Sequence, residues 1–174
     1  MKMSGSSPSK AEDKPAGETE MEITDLLSRE AVFCSVKAAS KKQAIQELAC
    51  RAAEIANLPE RAIFDVLLER ERLGTTGVGR GIAIPHGKIA GLDRLYGLFV
   101  RLEEPVAFEA VDDQPVDLLF LLLAPEEAGA DHLKALARIS RLFRDSALCD
   151  SLRRDSDADA IFKVLAEGVP ANAA

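Results

Sequence analysis

The run PVDLLFLLLAP, Pro115–Pro125, decides the fold. From Leu118 to Ala124 every residue is apolar, with none of the polar alternation of a strand that has one wet face. Such a run predicts a central strand covered on both sides. It is far short of the 18 or more residues that cross a bilayer, so no membrane insertion is expected. Working outward, RLYGLFVRLE (Arg94–Glu103) and GIAIP (Gly81–Pro85) read as further strands, and AVFCSV (Ala31–Val36) as a short first one. Helical patterns lie between and after them. Ser40 with Gln43 fits a capping box ahead of Ile45, Leu48, Ala52 and Ile55, and NLP at Asn57–Pro59 stops that helix. PERAIFDVLLERERLG (Pro59–Gly74) has proline at its start, glycine at its end, and Arg70 and Arg72 in its last turn. DHLKALARISRLFRD (Asp131–Asp145) places Leu133, Leu136, Ile139 or Ser140, and Phe143 on one side, and a final helix follows Ser156 through DADAIFKVLAEG. Helices interleaved with strands predict an α/β fold: a three-layer domain with a mixed β-sheet flanked by helices.

Composition sets the frame. At 174 residues the chain is expected to form one domain, residues 21–170, behind a disordered tail over 1–20 whose Ser, Pro, Gly and charged residues offer little to bury. A formal net charge of -7 argues against a nucleic-acid partner, which would need clustered Lys and Arg. Cys34, Cys50 and Cys149 show no CxxC spacing, so they read as small core hydrophobes rather than disulfide or zinc ligands. With no apolar signal-peptide region in the first residues, a cytoplasmic protein is expected.

The segment TTGVGRGIAIPHGKI (Thr75–Ile89) carries the candidate chemistry. GTTGVGRG approaches a phosphate-binding P-loop, but Arg80 stands in place of the lysine, no Ser or Thr follows it, and the context runs helix to strand. Gly77, Gly79 and Gly81 are evenly spaced, unlike the dinucleotide-binding fingerprint. A tight loop using positive φ accounts for the glycines equally well. His86 tips the reading toward function, because Pro85 fixes the backbone before it and Gly87 leaves space after it. A histidine held in this way presents one ring nitrogen while a local hydrogen bond fixes the other.

ERERLGTTGVGRGIAIPHGKI together with QPVDLLFLLLAPEEAGADHLKALARIS resembles the type-2 IIA domains of the bacterial phosphoenolpyruvate-dependent phosphotransferase system, and among them the stand-alone nitrogen-regulatory members. The resemblance spans roughly residues 22–168. It implies that His86 is phosphorylated as a tele-phosphohistidine, and that His132 and Arg70 line the same pocket. Beside them, Thr75, Thr76, Gly77, Gly79, Gly81 and Gly87 are candidates for framing the phosphoryl group, the loop N–H groups forming an anion-binding concavity. On residue chemistry alone, Arg70 otherwise complements its helix C-terminus, His132 is a first-turn surface residue, and Asp117 is a strand-start carboxylate bonded to nearby backbone.

The implied activity is phosphoryl transfer of the transferase class, from an HPr-like donor to His86, with regulatory targets such as potassium-transport or nitrogen-control components. The alternative is a sugar-specific IIA component, of fructose or mannitol type, passing the group to a IIB domain. No cofactor is expected, and two histidines without an acidic cluster make a poor metal site.

Overall fold

The computed structural model describes residues 21–169. The tail expected over 1–20 lies outside these residues, as does the end of the expected domain at 170. Two short 3-10 turns lead into strand β1 (Val32–Val36), then come helices α1 (Lys41–Ala56) and α2 (Glu60–Arg72). Three short strands follow: β2 (Gly77–Gly79), β3 (Ile82–Ala83) and β4 (His86–Ile89). Two long strands, β5 (Tyr96–Val106) and β6 (Val116–Pro125), precede helices α3 (Ala130–Leu142), α4 (Ser146–Arg154) and α5 (Ala158–Glu167).

The sheet runs β1-β5-β6-β3-β2, with β4 also paired to β6. β6 is antiparallel to β5 and parallel to both β3 and β4, so the sheet is mixed. Leu118 to Ala124 are all buried, and they look both ways. Leu121 and Leu123 meet Ala52 and Ile55 of α1 on one face, while Phe120 stacks edge-on with Phe143 at the end of α3 on the other. The three-layer expectation is met at this strand.

Helix ends follow local chemistry. Ser40 Oγ accepts the Gln43 N–H at 3.2 Å, but the Gln43 amide reaches Ala39 N at 2.8 Å rather than closing the box on Ser40. Asn57, at φ 58°, ends α1 in the left-handed region that asparagine tolerates. Pro59 sits at the N-cap of α2.

Several expectations are corrected. Ile139 and Phe143 of the expected stripe are buried and Leu136 is half-buried against the core, but the first turn of α3 instead turns His132 and Ala135 inward, and Leu133 is 67% exposed. The chain after Phe143 turns and starts a separate helix, α4, capped by the Asp145 carboxylate accepting Leu148 N–H at 3.2 Å. Asp117 pairs with Arg153 rather than with backbone, Oδ1 lying 2.9 Å from Nη2 and Oδ2 3.0 Å from Nε. Gly81, at φ +80°, passes directly beneath this pair, where a side chain would meet Arg153 and Asp117. Of the cysteines only Cys149 is buried; Cys50 is exposed. His86 opens a strand the sequence did not announce, β4, in register with Leu122.

Candidate functional site

Three elements converge on His86. β4 holds its backbone against β6, α2 supplies Arg70 from its last turn, and α3 supplies His132 from its first. Gly87 lets α2 lie close against β4: a Cβ there would fall under 3.0 Å from Val66 Cγ1. The side chains meet in an open pocket of about 740 Å³ lined by Asp65, Val66, Glu69, Arg70, Leu73, His86, Gly87, Lys88 and His132. A second hollow of about 580 Å³, bordered by Asp25, Arg94 and Lys134, contains none of the candidate residues.

Hydrogen bonds settle the tautomer of His86. Nδ1 lies 2.8 Å from the Ile84 carbonyl, which only accepts, so Nδ1 carries the proton. Arg70 Nε lies 3.2 Å from Nε2 and only donates, so Nε2 carries the lone pair. The ring is thereby held neutral with its nucleophilic nitrogen toward the pocket. Burial pushes its pKa below the ordinary histidine value, and the positive charge of Arg70 acts in the same direction. The Ile84 hydrogen bond and the Glu71 charge oppose them.

Arg70 also donates from Nη1 to the Gly74 carbonyl at 2.9 Å, so one guanidinium both closes its own helix and covers His86. His132 is 9% exposed, with its ring centroid 5.7 Å from that of His86 at an interplanar angle of 51°. Its pKa is lowered, first by burial and then by the neighbouring His86 and Lys88. His132 Nδ1 is buried without a hydrogen-bond partner among the described residues. No group of three or more His, Cys, Asp or Glu among these residues is placed to hold a metal ion.

The pocket thus brings together His86, His132, Arg70 and Gly87 and leaves out the other candidates. Thr75 Oγ1 donates to the Phe108 carbonyl at 3.1 Å and accepts Gly77 N–H at 3.0 Å. Thr76 is bound to Glu71 through both N–H and hydroxyl. Gly77 lies against Ala110, Gly79 beside Asp112, and Gly81 beside Arg153. Arg80 N–H is taken by Asp112 at 2.9 Å and Gly77 N–H by Thr75, so neither of these two donors is free toward an anion. Val66 and Leu73 were not foreseen as pocket residues; the α2 positions one turn before and just after Arg70 are the signal that would have found them.

Residues 25–168 match the family model described as "Phosphoenolpyruvate-dependent sugar phosphotransferase system, EIIA 2". The chain belongs to this family. A curated relative from Bradyrhizobium diazoefficiens, named nitrogen regulatory protein, is 61% identical over 84% of this chain and 95% of its own length. A relative from Haloferax volcanii, named PTS system fructose-specific EIIA component, is 36% identical over 86% of this chain and 99% of its own. The crystal structure of the nitrogen regulatory protein IIA-Ntr from Neisseria meningitidis superposes with a TM-score of 0.78 at 36% identity, covering 82% of this chain and 98% of that one. No helix of this EIIA domain is long and apolar enough to cross a membrane among the described residues.

Proposed function

We propose that this EIIA-family chain is a cytoplasmic phosphoryl carrier of the nitrogen-related phosphotransferase system. His86 takes the group from an HPr-like phosphohistidine protein, and the phosphorylation state regulates partner proteins such as potassium-transport or nitrogen-control components. One observation carries the reading: His86 Nε2 faces an open pocket as a lone pair, beside Arg70, while Nδ1 is fixed by Ile84.

The chemistry balances without moving a proton. The Nε2 lone pair forms the new P–N bond as the donor's P–N bond breaks, and that bond's electron pair stays on the donor ring nitrogen. His86 keeps its Nδ1 proton and becomes cationic, while the donor ring returns to neutral. The Ile84 carbonyl, already at 2.8 Å, then accepts a charge-assisted bond that is stronger than the neutral one. Arg70 leaves Nε2 and turns its planar donors to the phosphoryl oxygens, where charge spreads in transfer. His132 stands across the pocket as a further donor to the same group.

The new phosphoryl group brings about -1.5 to -2 charge at pH 7, by analogy with other phosphorylated side chains, into a pocket already lined by Asp65 and Glu69. Behind it Leu118 to Ala124 of β6 are buried and close-packed, so partners read the change by docking over the His86 face. Leu73, 80% exposed at the pocket rim, belongs to that face.

The 61% relative named for nitrogen regulation favours this reading over a sugar-specific one, which the 36% fructose-specific relative represents. The test is incubation with phosphoenolpyruvate and the general phosphotransferase proteins. One acid-labile phosphate on the wild-type chain, absent from a folded His86→Ala variant, is expected. Full labelling of that variant refutes the assignment.

A further inference from the structure

Glu71 is 8% exposed, an uncommon burial for a carboxylate, and both its oxygens are engaged. Oε1 accepts the Thr76 hydroxyl at 2.6 Å, and Oε2 accepts Thr76 N–H at 2.8 Å and lies 2.9 Å from Lys41 Nζ. Thr76 is itself 4% exposed. From it two short paths reach the two nitrogens of His86. The Thr76 carbonyl accepts Ile84 N–H at 3.0 Å, and the Ile84 carbonyl holds Nδ1. Along the chain, the turn between Glu71 and Thr76 contains Gly74, whose carbonyl anchors Arg70 Nη1 while Arg70 Nε covers Nε2. Both clasps close on one carboxylate.

We infer that Glu71 is a positioning residue for the His86 site: by locking Thr76 it fixes the Ile84 carbonyl that orients the ring and the Gly74 carbonyl that anchors Arg70. Lys41, tied at once to Glu71 and to Glu109 at 3.1 Å, brings the first turn of α1 into the same lock. Glu71 lines no part of the pocket and touches neither histidine. It acts only through these bonds and through its charge.

The kinetic part of the test rests on the phosphoryl-carrier reading. Glu71→Gln and Thr76→Val each break the lock, and Thr76→Ser keeps the hydroxyl. Misplacement of a reacting group by 1 Å can cost a hundredfold in rate, and partial release of the turn is expected to cost about tenfold at saturating donor, with KM unchanged. In an Arg70→Ala background the same change is expected to cost less, because part of its effect passes through Arg70. A readout independent of phosphoryl transfer is the 15N spectrum of His86: one neutral tautomer in the wild type, mixed tautomers in Glu71→Gln and Thr76→Val, a single one again in Thr76→Ser. A folded Glu71→Gln protein with wild-type rate, or with full additivity to Arg70→Ala and unchanged His86 nitrogens, overturns the inference. If the wild type takes no phosphoryl group, the carrier reading fails, and the tautomer comparison alone decides the role of Glu71.

Discussion

Gly87→Ala is the substitution that tests how closely α2 must lie against the strand bearing His86. A methyl at Gly87 would stand under 3.0 Å from Val66 Cγ1, whereas carbon atoms settle at about 3.5–4.0 Å, so a retreat of at least about 0.5 Å is forced. Val66 cannot simply turn away, since a β-branched residue inside a helix has essentially one comfortable rotamer. The helix therefore moves, at an overpacking cost of about 1–3 kcal/mol. Arg70 lies one turn beyond Val66 on that helix, 3.2 Å from His86 Nε2, and travels with it. With about a hundredfold lost per 1 Å of misplacement, phosphoryl acceptance is expected to slow by about tenfold or more. The assay is rapid-quench transfer from a phosphorylated HPr-like donor, beside a thermal melt in which Tm drops by roughly 2–4 °C per kcal/mol for a domain of this size. Val66→Ala removes the colliding methyl, so the double variant is expected to regain most of the rate. A Gly87→Ala protein at wild-type speed, or a slow one that Val66→Ala fails to rescue, refutes the reasoning.

His132→Ala is expected to leave acceptance of the group by His86 possible but slowed, because the residue orients and forms no bond to phosphorus; equal labelling and discharge rates in variant and wild type count against it. Because burial first and Arg70 second lower the His86 pKa, the neutral nucleophile persists as pH falls through 6.5, and the acceptance rate is expected to decline only below that value; a midpoint above 6.5 contradicts this. The lowered pKa values of His86 and His132 also mean that the unfolded chain binds protons more readily, so their stability contribution is complete above 6.5 and is lost as pH falls through the folded values, which denaturant titrations across that range measure. Asp117→Asn, which weakens the two-pronged pairing with Arg153 over Gly81, is expected to cost about 1–2 kcal/mol in denaturation while leaving transfer intact, since the pair is only partly shielded from water and lies outside the pocket; unchanged stability contradicts it.

The parts of the fold that were legible are those where one local signal dominates. The apolar run of β6 could only be a doubly covered strand, and the Ser40, Pro59 and Gly74 signals bracket α1 and α2 because capping and breaking act within a turn. The parts that were not legible depend on partners distant in sequence. β2 and β4 are three and four residues long, and their extended form comes from pairing with β3 and β6 rather than from any propensity of Gly-Val-Gly or His-Gly-Lys-Ile. The stretch after Asp145 contains neither glycine nor proline to frame a new element, so α4 went unread, although Asp145 ahead of an apolar-periodic stretch was an available cap signal. Asp117 finds Arg153 thirty-six positions later, a pairing that no local pattern announces.

Within the site, the resemblance supplied His86, His132 and Arg70 together, while residue chemistry on its own pointed only to His86. The error at α3 shows why. Ile139 continues either a face that starts at 132 or one that starts at 133, so periodicity cannot choose between His132 and Leu133 for the first turn, and hydrophobicity prefers Leu133. The fold buries Ile139 and Phe143 as expected but at the first turn takes the other residue inward, burying His132 beside His86 and leaving Leu133 67% exposed. Desolvating an imidazole whose Nδ1 finds no partner among the described residues, while a leucine faces water on the next position, costs stability on both counts. A first turn set with its histidine inward and its leucine outward is held there by what the histidine must meet, and here it meets the ring of His86. The inversion is therefore itself a mark of the site, one that appears only when the sequence pattern and the burial are set side by side.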